Sequence, residues 1–594
     1  MASARTSRNG RQFNSQQSLN SAIKSICDIM RRSNCAGALQ YVPELTWILF
    51  LRILDEREEQ EAEQAEAVGA DFTPSLRPPY RWRDWAAPWK SDGNGGLLAS
   101  TDGNGSRAGW KRHELEKGAL GAFMGFVNED LIPQLKALGE KPNATGRQKV
   151  ISQIFSGVER VRIDSESNLC NVLDEVHEIS QQGVDTTHIF TLSQVYEGLL
   201  LKMGERGNDG GQFFTPREII RAMVQVVDPE VGETVYDPGC GTGGFLAQAY
   251  EHMRSDRTPT EIETLKRSTF YGREKDNLIY PIALANLVLH EIDEPHIWHG
   301  NTLTGDAAYD GLFQGAPDFH DVILMNPPFG GKEGKTAQTH FDFKTGATQV
   351  LFLQHVIRSL KPGGRCGIVL DEGVLFRTNE NAFVKTKTRL LDECDLWCLV
   401  SLPPGTFVNA GAGVKTNLLF FTKGQPTERI WYYDLSDIKV GKKSPLTLQH
   451  FEEFFRLLPE RADSEHSWTV DMVRRKQEVA EAARPLKEQA AAKKSEAAEW
   501  SDRLKELRKA TPREDGAIEE AETRFAELTR EARELTARAT DIENAVYDLK
   551  AVNPNAKSNE DTRTPEELLD LMEAKGREVA EAVAELRRLG GAGL

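Results

Sequence analysis

The chain has 594 residues, 39% of them hydrophobic and 27% charged, and carries a net charge of −17; that length suits about three or four domains in a globular protein. Its polar first 20 residues lack the apolar core of a secretory signal. The apolar run at 41–54, interrupted by Glu44 and Arg52, is too short to cross a bilayer, so a cytoplasmic location is expected. Seven scattered cysteines without a C-x-x-C pair and twelve histidines without ligand spacing argue against a disulfide scaffold and against a metal site.

The acidity is uneven. The last 84 residues hold 20 acidic against 12 basic residues, whereas the first 33 carry Arg5, Arg8, Arg11, Lys24, Arg31 and Arg32 against Asp28. Residues 1–13 read as a disordered basic tail. A chain this acidic is poorly suited to hold a polyphosphate tightly by itself, so a nucleic-acid substrate would call for a partner.

Residues 14–175 form an expected N-terminal helical domain, with Leu19, Ile23, Ile26 and Met30 at helical spacing and a Gly-, Asp-, Asn- and Ser-rich surface loop at 91–109. A connecting helix at 191–203 and a glycine-rich hinge at 204–211 occupy the segment 176–211. From 212 to 465, short β-rich runs (234–236, 269–272, 322–325, 366–370, 396–402, 418–422, 430–433) alternate with helical stretches. That alternation predicts a Rossmann-like α/β domain with a mostly parallel sheet. Residues 466–594 predict long helices: 470–507, kinked near Pro485, then a seam of Ile518, Ala521, Phe525, Leu528, Ala532, Leu535, Ala539, Ile542, Val546 and Leu549 in heptad register, then a helix from Pro565. Such a seam needs a facing helix, from this chain or from another subunit.

Three motifs carry chemistry. Asp237-Pro238-Gly239-Cys240-Gly241-Thr242-Gly243-Gly244-Phe245 follows a strand and opens a helix, and its glycines at 239, 241 and 244 have the spacing of nucleotide-binding turns. Glu274 ends the next strand, where an acid can accept ribose hydroxyls. Asn326-Pro327-Pro328-Phe329 ends the strand 322–325 and suits methylation of a planar exocyclic amine. The Asn326 amide oxygen and the Pro327 carbonyl can accept its two N–H groups and draw the nitrogen toward sp³. The prolines hold that carbonyl and add no competing N–H, and Phe329 can stack on an extruded base.

Gln212-Phe213-Phe214-Thr215-Pro216-Arg217-Glu218 contains Thr215-x-x-Glu218 with Pro216 between, a capping box by its spacing. The same T-P-x-E recurs at Thr511 and Thr564, so the device by default marks a helix start.

Together these residues resemble the modification (M) subunits of type I restriction–modification enzymes, which are adenine-N6 DNA methyltransferases. The resemblance spans roughly 14–440 and includes Ser359-Leu360-Lys361-Pro362-Gly363-Gly364 and the stretch from Gly413 to Phe421. It implies S-adenosyl-L-methionine as cofactor, bound by Gln212, Phe213, Phe214, Thr215, Pro216, Arg217, Asp237, Gly239, Gly241, Thr242, Gly243, Gly244, Glu274 and Asn301. Asn301 stands where the family usually has Asp. It further implies catalysis at Asn326, Pro327, Pro328 and Phe329 on a flipped adenine of double-stranded DNA. The implied partners are a specificity (S) subunit that reads the sequence, two M per S, and motor-nuclease (R) subunits that join in some complexes. The acidic tail after Trp468 is longer than the family leads one to expect, and docking of 518–549 on the S subunit is one expectation for it. Other readings are an amino-group methyltransferase for RNA or a protein glutamine, and a non-catalytic cofactor-binding scaffold.

Overall fold

The computed structural model describes residues 16–33, 35, 38–89, 108–178, 215–304, 311–407, 414–441, 444–512, 514–555 and 565–590. Gln212, Phe213, Phe214, the expected helix 191–203 and the hinge 204–211 lie outside the described residues, as does most of the 91–109 loop. No helix among those described is long and apolar enough to cross a membrane.

The N-terminal region is helical as expected. Helices α1 (Gln16–Arg31), α2 (Ala38–Ala67), α3 (Gly146–Phe155) and α4 (Glu166–His177) enclose a core that includes Trp47, Phe50, Trp82, Trp85, Phe123 and Phe155. This core continues into the α/β domain. The bridge is α7 (Ile279–Leu289), which follows α5 (Arg217–Val227) and α6 (Gly244–Met253) in the chain. Its sequence IYPIALANLVL is apolar on every face, and such a helix must be covered on every side. It therefore lies buried between α2 and α3 on one side and α6 on the other. At its C-terminal end Arg57 donates to the Val288 carbonyl (2.8 Å) and to Asp293 (2.8 Å). Arg147 reaches the same Asp293 oxygen (2.9 Å) and grips Glu61 with both ends of its guanidinium (2.7 and 2.9 Å).

Nine strands form one sheet in the order β3-β2-β1-β4-β5-β7-β6-β8-β9. They are β1 (Val235–Asp237), β2 (Phe270–Glu274), β3 (His296–His299), β4 (His320–Met325), β5 (Leu360–Asp371), β6 (Cys394–Ser401), β7 (Thr416–Lys423), β8 (Arg429–Asp434) and β9 (Ser467–Asp471). Strands β1 to β5 run parallel, β7 inserts antiparallel between β5 and β6, β8 runs parallel to β6, and β9 closes the edge antiparallel. The order reverses at β1, and in open α/β sheets ligands sit in the crevice beyond such a reversal.

Two strands depart from the sequence reading. His296 and His299 lie in the edge strand β3, which the strands read from the sequence do not include, with His290 at the C-cap of α7. Strand β9 falls beyond the expected domain boundary at 465 and extends the sheet to Asp471.

After α8 (Thr348–Ser359) and α9 (Asn381–Glu393), the tail forms a helical hairpin: α10 (Met472–Lys509), which runs through Pro485, and α11 (Asp515–Asn544). Ala483, Ala490 and Ala497, spaced seven apart, are buried on α10, as are Ile518, Ala521, Leu528, Ala532 and Ala539 on α11. Ion pairs Lys493–Glu531 (3.0 Å) and Arg508–Glu522 (2.6 Å) cross between the helices. The heptad seam is thus filled by this chain's own helix, the first of the two partners its pattern allowed. Thr511 caps nothing here, since α11 begins at Asp515 with Glu514 at its N-cap position. The last helix, α12, spans Pro565–Gly590.

Asp293→Ala removes the acid shared by Arg57 and Arg147. Because Glu61 still faces both guanidiniums, the expected cost is about 2 kcal/mol, below the ~3–5 of a fully orphaned buried ion. Denaturant unfolding measures it, and an unchanged midpoint would contradict a clamping role.

Candidate active site

The turn after β1 is pressed between β4 and α7. Gly243 has φ 77°, and a Cβ there would come within 3.1 Å of the Leu287 side chain. At Gly239 a Cβ would lie 3.1 Å from the Met325 methyl. Hydrogen bonds fix the turn's course: the Cys240 N–H donates to the Arg273 carbonyl (3.0 Å), the Asn286 amide to the Thr242 carbonyl (2.8 Å), and the Thr302 hydroxyl to the Pro238 carbonyl. Glu274, at the tip of β2, accepts from Gly241 N–H (2.9 Å) on one oxygen and from Asp276 N–H (2.8 Å) on the other. It therefore braces the turn and keeps a lone pair on each oxygen for a ligand.

The site's charges are buried. Burial pushes the Glu274 carboxyl up to about 7. It pushes Asp237 up to about 8, against the Gly239 N–H and reinforced by the charge of Glu274. Burial, with the like charge of Arg221, pulls the Arg217 guanidinium down to about 9. Carboxyls (Asp237 and Glu274 among them) and the guanidiniums of Arg217 and Arg273 in one crevice favour a ligand that carries both charges, since each buried ion gains most from an opposite partner.

Strand β4 delivers Asn326 to the same crevice. Its side-chain N–H donates to the Thr215 hydroxyl (2.9 Å), while its buried Oδ1 has no hydrogen-bond partner among the described residues. A buried acceptor left without a donor is costly and marks a place where a ligand donor fits. Phe329 is half-buried and meets Phe407 edge-on, ring centroids 5.2 Å apart at 70°.

One cleft brings together most of the residues expected from the sequence: Thr215, Arg217, Asp237, Gly239, Gly241, Thr242, Gly244, Glu274, Asn301, Asn326 and Pro328 all line it. Pro216, Gly243, Pro327 and Phe329 are beside it and do not line it. The sequence reading missed Arg273, Thr302, Phe352 and Phe407. Arg273 lies over the rings of Tyr236, Trp298 and Phe313 (5.8, 5.5 and 5.5 Å), and its place beside Glu274 was the available signal. Phe352, on a helix spanning Thr348–Ser359, had none.

The capping box expected at Thr215 is absent. Helix α5 begins at Arg217 with Pro216 at the N-cap and no side-chain cap. Glu218 instead accepts from Leu448 N–H (3.1 Å) and Arg221 (3.0 Å). Another copy of the T-P-x-E pattern, Thr258-Pro259-Thr260-Glu261, does form a capping box with both reciprocal bonds. Among the described residues no group of three or more His, Cys, Asp or Glu side chains could hold a metal ion.

This geometry, a nucleotide-type turn opposite an Asn-Pro-Pro-Phe at a sheet's switch point, defines an amino-group methyltransferase fold, and comparison with known proteins agrees. The profile of the N-6 DNA Methylase family matches residues 187–496, and that of the HsdM N-terminal domain matches 19–176. The chain belongs to the N-6 DNA methylase family. It is 37% identical over 424 residues to the methylase subunit of the type I restriction enzyme EcoEI from Escherichia coli, covering 70% of this chain and 77% of that one. It is 34% identical over 286 residues to the EcoKI methylase subunit of E. coli K12, covering 45% and 53% respectively, so it spans about half of that relative. A solved chain from a study of the assembly and conformational transition of the type I R-M system superposes over 98% of this chain and 99% of its own length, with TM-score 0.61 and 33% identity.

Asp237 stays protonated in the folded chain up to about pH 8, whereas an unfolded aspartate ionises at about 4. The fold then holds more protons than the unfolded chain between those values, and stability falls as pH rises through them. Asp237→Asn keeps the acceptor for Gly239 N–H but cannot ionise. Without cofactor its melting temperature should exceed the wild type's by clearly more at pH 8 than at pH 5; the same difference at both would contradict the burial argument.

Proposed function

We propose that this chain is the modification subunit of a type I restriction–modification enzyme and transfers a methyl group to N6 of adenine in DNA. The observation that carries the reading is the buried, unpartnered Oδ1 of Asn326, a residue that lines the same cleft as Glu274 and the glycine turn. The relatives' names, methylase subunits of type I restriction enzymes, favour DNA over RNA or a protein glutamine as substrate.

The residues present fit S-adenosyl-L-methionine. Glu274 is placed for ribose hydroxyls, Asn301 for an adenine edge, Arg217 for a carboxylate, and Asp237 for positive charge. Gln212, Phe213 and Phe214 belong to the same expected cofactor segment, with Thr215 and Pro216. When bound, this group supplies a methyl on a sulfonium centre.

The chain's own part is to make an aromatic amine nucleophilic. Asn326 Oδ1 and the Pro327 carbonyl accept its two N–H groups, which localises the nitrogen lone pair and aims it across the cleft. Pro327 and Pro328 rigidify that carbonyl, and Phe329, fixed by Phe407, offers a face to a base extruded from the duplex. The nitrogen loses its proton to water once methylated, so no strong general base is required. Because the chain is acidic, site selection and much of the phosphate contact fall to a specificity subunit in an assembly of two M per S, with R subunits joining for restriction.

Asn326→Ala should abolish methyl transfer while leaving cofactor affinity unchanged. Nucleoside mass spectrometry of DNA from a host expressing the chain with its specificity subunit tests this. N6-methyladenine should appear with the wild type and vanish with the variant; its persistence would refute the assignment.

A further inference from the structure

A carboxamide has two ends, and only one suits the proposed chemistry. With Oδ1 turned to the substrate, Asn326 accepts an amine N–H. Rotated by half a turn, its own NH2 would meet the substrate NH2, donor against donor, and the lone pair would not localise. Something must choose between these orientations. We propose that Thr215 is the positioning residue that makes the choice, by holding the NH2 end of Asn326 through its hydroxyl and so aiming Oδ1 into the cleft. The inference rests on the amine-methylation reading above.

Three observations carry it. The Asn326 Nδ2 to Thr215 Oγ1 distance is 2.9 Å and the bond spans 111 residues of sequence, so the tertiary fold sets it. The other end of the amide, Oδ1, is buried and unpartnered, which is the pattern of an acceptor kept for a ligand. The third is what Thr215 does not do. Thr-Pro-x-Glu at 258–261 uses its threonine hydroxyl to accept the Glu261 N–H and its glutamate to close the box. The same pattern at 215–218 leaves helix α5 uncapped by either side chain, with Glu218 engaged by Leu448 and Arg221. The hydroxyl that helix formation would ordinarily claim is turned to β4 instead. Pro216, at φ −54°, restricts the residue before it to extended backbone, which limits where that hydroxyl can point. Because Thr215 and Arg217 both line the cleft, one short segment touches the catalytic amide and the cofactor pocket together.

The test uses the reconstituted complex with its specificity subunit, S-adenosylmethionine carrying a labelled methyl group, and genomic DNA from a host lacking the methylase. Thr215→Val, Thr215→Ser and Asn326→Ala are compared for kcat, for KM on DNA, and for cofactor Kd by calorimetry. The expected result is a fall in kcat of about tenfold or more in Thr215→Val, larger than any change in cofactor Kd, with DNA KM unchanged and Thr215→Ser restoring turnover. Thr215→Val turning over like the wild type while Asn326→Ala is dead would overturn this inference alone. So would a loss confined to cofactor affinity, or equal losses in the Ser and Val variants. An active Asn326→Ala would instead overturn the methylation chemistry on which the inference stands.

Discussion

Strands β1 and β4 are hydrogen-bonded neighbours, with Val235 opposite Val322 and Tyr236 opposite Ile323, and the site depends on that register. Parallel neighbours lie about 4.8 Å apart, so the turn that follows Asp237 and the Asn326 that follows Met325 emerge side by side. A slip of one residue would turn Asn326 to the opposite face of the sheet. Both strands are buried on both faces, which pins the register. Gly239, against the Met325 methyl, is the point where the turn and β4 touch.

The remaining architecture acts on this pair of strand ends. Helix α7 supports the turn from behind through Asn286 and ties it to the N-terminal helices through Asp293 and its two arginines. The extra strands β8 and β9 carry the sheet out to the hairpin, whose base is joined to the α/β domain where Leu549 N–H donates to the Leu375 carbonyl (3.2 Å). Charge follows the same division. The carboxyls that matter are buried in the cleft, whereas much of the acidic excess sits on the exposed faces of the tail. A chain built this way is suited to hold a small charged cofactor firmly and a long polyanion only with help.

How much was legible in the sequence differs by kind of signal. The seven strands read from apolar runs are all present, because each run is buried and bounded by turn residues. Strand β3 escaped because His-Ile-Trp-His has neither alternation nor a β-branched run, and its place at the edge comes only from pairing with β2. The cleft residues adjacent to motifs were accessible to reasoning, while Phe352 and Phe407 reach the site from distant elements that no local pattern ties to it. Thr215 was misread because a capping box is a spacing rule, and spacing cannot say whether a hydroxyl finds a better partner 111 residues away. The heptad seam was plain, but its partner was not, since a seam fits any matching helix. The alanines at 483, 490 and 497, in step with it, were the signal that the match lay within the chain.

The proposed chemistry requires one crevice at the β1–β4 ends to serve both the cofactor and the reacting amine. Determining the structure of the chain with S-adenosylhomocysteine, the product left after methyl transfer, tests this most directly. The ribose should lie against Glu274, with the sulfur facing the Oδ1 of Asn326 across open space wide enough for a base. A ligand seated elsewhere, or one whose sulfur turns away from Asn326, would contradict it.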